Sequence, residues 1–386
     1  MNHTMSREMP MVGATAQSRP RFRVGFWDAV FTIIVAAGAY ATYVRFFHGL
    51  GASTNLTDKF PWGIWIGFDV LCGVGLAAGG FTMAAAVHLF SIERMTPVVR
   101  PAILTAFLGY ILVVFALFFD LGQPWRIWHP LVHWNPHSVM FEVGWCVTLY
   151  TAVLALEFSP IVFDRLKWTW AKRIVRPVMI PTVVAGVILS TLHQSSLGSL
   201  YLIMPTKLHP LWYSPYLPLL FYLSAVSIGC AMVIFESYLS KRAFGHHLRM
   251  DLLRDLGRVA LVLVVVYGLL RFLDMRDRGV LSHITFATLE GRMFLLEVLV
   301  QIFIPIVLLG IPRIRNSQQG LFMGAVFMVL GFVLNRLNVS LTGVEGVLQA
   351  GYFPSWMEIA VTMSVVAVGF ALFRLAVKFL PIFSEH

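Results

Sequence analysis

What most constrains this chain is a series of about ten apolar blocks, each long enough to cross some 30 Å of hydrocarbon, running from residue 27 to residue 380. They lie at about Trp27–Phe47, Trp62–Phe90, Ala102–Phe119, Val139–Phe158, Val175–Leu192, Tyr216–Leu239, Leu256–Leu273, Met293–Ile311, Leu321–Leu341 and Ile359–Leu380. Blocks this long and this unalternating suit helices. An outer-membrane barrel needs alternating strands of ~10 residues, and lipid offers no partner to backbone groups left unpaired. The seventh block is the least apolar, because it carries Arg258 and Arg271. Charged residues make up 12% of the chain, about half the share of a soluble domain, so no water-facing surface can be built from it. The mean hydropathy of +0.77 is spread over all the blocks and excludes a soluble domain on one anchor.

The expected fold class is therefore an all-α integral membrane protein. Residues 1-26 read as a cytoplasmic N-terminal tail, with Arg7, Arg19, Arg21 and Arg23 and no apolar core of a signal peptide. Residues 27-386 read as a ten-helix membrane domain: a first four-helix bundle at about 62-193, a second at about 216-341, and a flanking helix on either side. Lys and Arg concentrate in the tail and the even-numbered connections, for example Arg165, Lys167, Lys172, Arg173 and Arg176, which predicts that both termini are cytoplasmic. The longer odd-numbered connections at 120–138, 194–215 and 342–357, rich in Trp, His, Pro and Tyr, then face outward, where they suit docking of a partner or an aromatic belt.

The net charge of +10 follows this topology rather than forming a basic stripe, so no nucleic acid is expected as partner. Cys72, Cys146 and Cys230 lie singly in apolar blocks, which fits neither a disulfide framework nor a metal or cluster motif. A transmembrane haem needs two imidazoles at one depth; His88 and His193 fall near opposite faces, and only His48 with His193 remains as a pair. The chain is expected to hold no haem, no iron–sulfur cluster and no metal.

An ionisable group at membrane depth is expensive and points to function. Asp69 falls about two turns inside the second helix, Asp120 at the end of the third, Glu142 in the first turn of the fourth and His193 at the close of the fifth, all toward the outer face. Four protonatable groups from consecutive helices thus share one layer, unless they are merely separate helix-end residues. Tyr110 near mid-membrane, with His88, Glu157 and Glu236 toward the inner face, would extend them into a proton file, although Glu157 also reads as an interfacial carboxylate. In the second bundle Glu297 and Arg336 read as a buried ion pair.

At these residues the sequence resembles the NrfD/PsrC family of integral membrane subunits, in its HybB-like ten-helix branch of hydrogenase or high-molecular-weight cytochrome c complex type. The matching stretches include Phe60-Pro61-Trp62-Gly63-Ile64-Trp65 with Asp69, Ser138-Val139-Met140-Phe141-Glu142, His193-Gln194-Ser195-Ser196-Leu197-Gly198-Ser199, Val233-Ile234-Phe235-Glu236, and Tyr352-Phe353-Pro354-Ser355-Trp356 with Glu358. They recur in order from about residue 40 to 380.

The resemblance implies a quinone-interacting subunit of a periplasm-facing respiratory oxidoreductase complex in the bacterial inner membrane. It would exchange electrons between a four-cluster ferredoxin-like iron–sulfur partner on the outer face and the menaquinone or ubiquinone pool, beside multihaem cytochrome c or hydrogenase subunits and lipids. Its quinone pocket would fall in the first bundle, at Asp69, Asp120, Glu142 and His193. His193 is the expected donor to a quinone oxygen, with Glu142 or Asp69 holding its tautomer and supplying a proton; Tyr110, Glu236 and His88 would relay protons from the cytoplasmic side. Whether protons are translocated stays open. The competing readings are a secondary transporter or ion channel, against which the glycines at Gly73, Gly75, Gly79 and Gly80 have no counterpart in a second half, and a purely structural anchor.

Overall fold

A computed structural model describes residues 25–60, 62–245 and 247–383. The arginines of the N-terminal tail and Pro61 lie outside the described residues. Among the described residues ten helices are long and apolar enough to cross a membrane: α1 (Phe26–Phe47), α2 (Trp65–His88), α3 (Glu93–Asp120), α4 (Val139–Leu166), α5 (Thr169–Leu202), α6 (Leu217–Phe244), α7 (Met250–Asp277), α8 (Leu289–Gly310), α9 (Gln318–Leu348) and α10 (Trp356–Phe379). The chain is a multi-pass, all-α membrane protein, with no strand among the described residues. We call the side on which α1 begins and α10 ends the terminal face, and the other the loop face.

Several helices outrun their apolar blocks, for a local reason. After Leu192 the sequence turns polar, with Gln194, Ser195, Ser196 and Ser199, and reads as a loop. Yet Ser195, Ser196 and Ser199 donate to backbone carbonyls of the preceding turn, at 2.9 Å to Thr191, 2.7 Å to Leu192 and 3.4 Å to Ser195. Their hydroxyls are satisfied inside the helix, so α5 continues to Leu202. The starts are capped: Ser138, Thr288, Ser317 and Ser355 each accept a backbone N–H of the first turn. At Ser355 the cap is reciprocal, because the Glu358 carboxylate takes the Ser355 N–H at 2.8 Å.

Helices α2, α3, α4 and α5 each pack on the next, and α5 packs back on α2; α6, α7, α8 and α9 do likewise. Helix α6 touches α2 and α5, while α10 joins α1 to α3. The seam around α6 is built from small residues, since a Cβ on Gly229 would stand 2.9 Å from the Ala78 carbonyl oxygen and one on Gly198 would stand 2.6 Å from that of Leu217. Three helices carry a wide π-type turn, at Trp65–Val70 in α2, Leu299–Phe303 in α8 and Asn338–Thr342 in α9. Each wide turn holds a buried polar residue, respectively Asp69, Gln301 and Asn338.

Candidate functional site

Three centres hold many of the polar residues of the membrane interior. The first lies among α3, α4 and α5. His193 is fully buried, nine residues before α5 ends and so about 14 Å below that end rather than at it. Its ring lies 5.8 Å from that of Tyr110 on α3, and Tyr110 meets Tyr150 on α4 edge to face at 4.7 Å. Ser190, one turn from His193, stands beside both tyrosines. Neither ring nitrogen of His193 has a hydrogen-bond partner, and nor do the hydroxyls of Tyr110, Tyr150 and Ser190. The hydroxyls stand close enough to be drawn to one another, with Ser190 between the two tyrosines and Gln194 beside Tyr110, whereas both imidazole nitrogens lack any such neighbour and forfeit the hydrogen bonds they would make in water.

This centre continues toward both faces. On the loop side Glu142, in the first turn of α4, stands 2.6 Å from the Ser196 hydroxyl and competes with the Leu192 carbonyl for its one proton, so its carboxylate belongs to the turn of α5 above His193 and does not touch the imidazole. On the terminal side Tyr150 has the buried Glu157 as an electrostatic neighbour. The Glu157 carboxylate lies against the bare backbone of Gly186, where a Cβ would come within 3.2 Å of it. Glu142, Tyr150 and Glu157 thus mark one side of α4 over about 22 Å. Glu157 is not the interfacial carboxylate its position near the end of an apolar block suggested; α4 runs on to Leu166 and leaves it inside.

The second centre joins α1, α2, α3 and α10. Asp69 accepts a 2.7 Å bond from Thr362 of α10. Asp120 ends α3 as expected, next to Arg45 and Glu358. Arg45 donates instead to the carbonyls of Phe119 and Leu121, both at 2.6 Å. Glu358 is fully buried and accepts from Tyr352 at 2.6 Å, Asn55 at 3.0 Å and Ser355. Burial, reinforced by Glu358, pushes the Tyr352 phenol well above its ordinary range and keeps it a donor. The four groups expected in one layer therefore divide between two centres, Glu142 and His193 in one and Asp69 and Asp120 in the other. Of the residues expected to relay protons, Tyr110 lies in the first centre. Glu236 is held by Thr105 of α3 at 2.7 Å, with no hydrogen bond leading on to Tyr110. His88 is exposed at the terminal end of α2.

The third centre lies among α6, α7, α8 and α9. Glu297, fully buried, accepts from Arg271 at 2.5 Å and from Trp212, Asn335 and Asn338 at 2.8 Å each. The expected ion pair with Arg336 is replaced by one with Arg271, the residue that made the seventh block look least apolar. Arg336 reaches Glu297 only through Asn335, to which it donates at 2.7 Å; it is otherwise held by Ser224 and stacked between Phe221 and Phe332, at 3.7 and 4.4 Å. Tyr150, Ser190, Arg45 and Thr362 were missing from the sequence reading. The first two are neutral, and one signal that marks them is their helical spacing from Glu157 and His193.

Comparison with known proteins bears on these centres. A family model described as polysulphide reductase, NrfD, matches residues 52–347. The chain is 40% identical over 365 residues to a protein of Nitratidesulfovibrio vulgaris, covering 92% of this chain and 93% of that one. It is 36% identical over 344 residues to the probable Ni/Fe-hydrogenase 2 b-type cytochrome subunit of Escherichia coli, covering 88% and 87%. With the integral membrane subunit of menaquinone reductase from N. vulgaris it shares 27% identity over 389 residues, covering 93% and 92%.

Proposed function

The chain belongs to the NrfD family, and from that premise we propose that it is the quinone-interacting membrane subunit of a respiratory oxidoreductase complex, exchanging electrons between an iron–sulfur partner and the menaquinone or ubiquinone pool. The relatives named for menaquinone reductase and for a hydrogenase support this reading. Its carrying observation is the open hydrogen-bonding capacity around His193. Quinone, the substrate, takes up or gives back two electrons and two protons at its carbonyl oxygens, and those oxygens need buried donors. In this reading His193 donates to one of them, Tyr110 fixes the imidazole ring by its edge, and Ser190 and Tyr150 pass protons between the quinone and Glu157. Glu142 serves the loop side through Ser196, Glu236 and His88 serve the terminal side, and Asp69 and Asp120 shape the adjoining wall.

The complex is read as sitting in the bacterial inner membrane, with both termini cytoplasmic and the loop face toward the periplasm. There a four-cluster ferredoxin-like subunit would dock, in company with multihaem cytochrome c or hydrogenase subunits. The exposed Trp125, Trp128 and Trp134 of the connection after α3 suit that face. The division into a first bundle at about 62-193 and a second at about 216-341 belongs to the same reading, with quinone assigned to the first.

A photoreactive quinone tests the assignment. Label should fall on peptides of α3, α4 and α5 that hold Tyr110, Tyr150 and His193. Label confined to α6–α9 would contradict it. The reading also assigns the chain no haem, because His193 sits on α5 against Tyr110 while His48 lies exposed against Tyr43 at the end of α1. Pyridine haemochrome analysis of the purified chain should then give none, and stoichiometric haem b would overturn that part.

A further inference from the structure

We propose that the third centre holds a halide-sized monoanion in the cavity beside Arg336. The cavity is lined by Arg271, Arg278 and Arg336 together with Asp274, Asn335 and Ser214. Its charges do not balance. Arg278 is paired with Asp274 at 2.7 Å and Arg271 with Glu297 at 2.5 Å, which leaves Arg336 without an acid among the described residues. Arg336 is 1% exposed, and its Nε–H has no partner. Dipoles from Asn335 and Ser224 and the faces of two phenylalanines soften the charge without cancelling it.

A lone guanidinium at membrane depth costs several kcal/mol, and unlike lysine or histidine it cannot shed its proton to escape that cost. A bound anion is the remaining route to neutrality, and one negative charge suffices. Size sets the class. The space open to the centre of a water-sized sphere is about 20 Å³, enough for one small ion or one or two waters and too little for a phosphate or an organic acid. Arg278 is the partly exposed charge of this lining, with its partner Asp274 buried beneath it, so the ion enters past Arg278. A second cavity, lined by Ser224, Ser227, Gln301 and Tyr267 among apolar residues, shares Tyr267 with the first. This inference does not depend on the quinone reading.

Equilibrium dialysis of the purified full chain with radiolabelled chloride, in gluconate buffer, tests it. The expected result is one chloride per chain, displaced by bromide and left in place by gluconate. Arg336→Gln should weaken binding by ~30-fold or more, as removal of a buried charge partner does. Should that variant fail to fold, Arg278→Gln at the rim carries the comparison and should also bind more weakly. Absence of stoichiometric chloride on the wild-type chain overturns the proposal, and so does unchanged affinity in either folded variant.

Discussion

The centre around His193, among α3, α4 and α5, and the centre around Glu297, among α6, α7, α8 and α9, are both buried, and they use their polar groups in opposite ways. Glu297 receives four donors and has no capacity left. His193 has no partner at either nitrogen, and the three hydroxyls near it have chiefly one another for neighbours. A saturated carboxylate fastens α8 to α7 through Arg271, to α9 through Asn335 and Asn338, and to the connection before α6 through Trp212. An open imidazole stabilises nothing by itself and is ready to bond whatever enters. Satisfied networks fix a core; groups left open in low dielectric are reserved for a ligand.

The largest expected effect is on the saturated side. Glu297→Ala leaves Arg271 buried without its counter-charge, which typically destabilises by about 3–5 kcal/mol. Membrane yield and the denaturation temperature of the purified chain should both fall sharply. A variant of wild-type stability would remove the fastening role and bring the two centres closer in kind.

A second expectation sharpens the open side. If Glu157 exchanges protons with the site through Tyr150, Glu157→Gln should slow quinone-linked turnover by about 10²-fold, a usual loss for a general acid–base group, while leaving assembly intact. Glu236→Gln, whose carboxylate is held by Thr105 away from Tyr110, should slow it less. Equal losses in the two variants would show that the file along α4 is not the main one.

The smallest effect concerns the loop above the saturated centre. His209 donates its backbone N–H to Gly343 at 2.9 Å and packs on Trp212, which in turn bonds Glu297. Burial, with His283 alongside, holds the imidazole below its ordinary value against the opposing pull of Glu290. As the pH falls through about 6.5, the unfolded loop takes up a proton that the folded loop refuses, so stability declines with falling pH and is unaffected above about 7. Relative to the intrinsic exchange rate at each pH, the protection of backbone amides in residues 205–216 should therefore fall between pH 7 and pH 5 in the wild type and not in His209→Gln.

The helices were legible in the sequence because lipid permits one solution for long apolar runs, and all ten blocks reappear as helices. Their ends were less so. Serines that bond back to their own helix carry α5 ten residues past its apolar block, and this alone moves His193 from a helix end into the interior. Charged residues announced the candidate sites, since a carboxylate or imidazole at depth demands explanation. Their grouping did not follow from depth, because depth says nothing about which side of a helix a residue occupies. The wide turn that holds Asp69, whose carboxylate bonds Thr362 of α10, is invisible in a linear pattern. Neutral Tyr150 and Ser190 carried no charge signal at all.

The central claim is that the open centre, and not the saturated one, meets the quinone. It is tested most directly by measuring quinone-coupled turnover against artificial-acceptor activity in the same assembled preparations of wild type and His193→Ala. Loss of a preorganised donor should lower quinone turnover by about 10²–10³-fold. Artificial-acceptor activity should stay at the wild-type level, because electrons still reach the partner's last cluster. Normal quinone turnover in assembled His193→Ala would contradict the account.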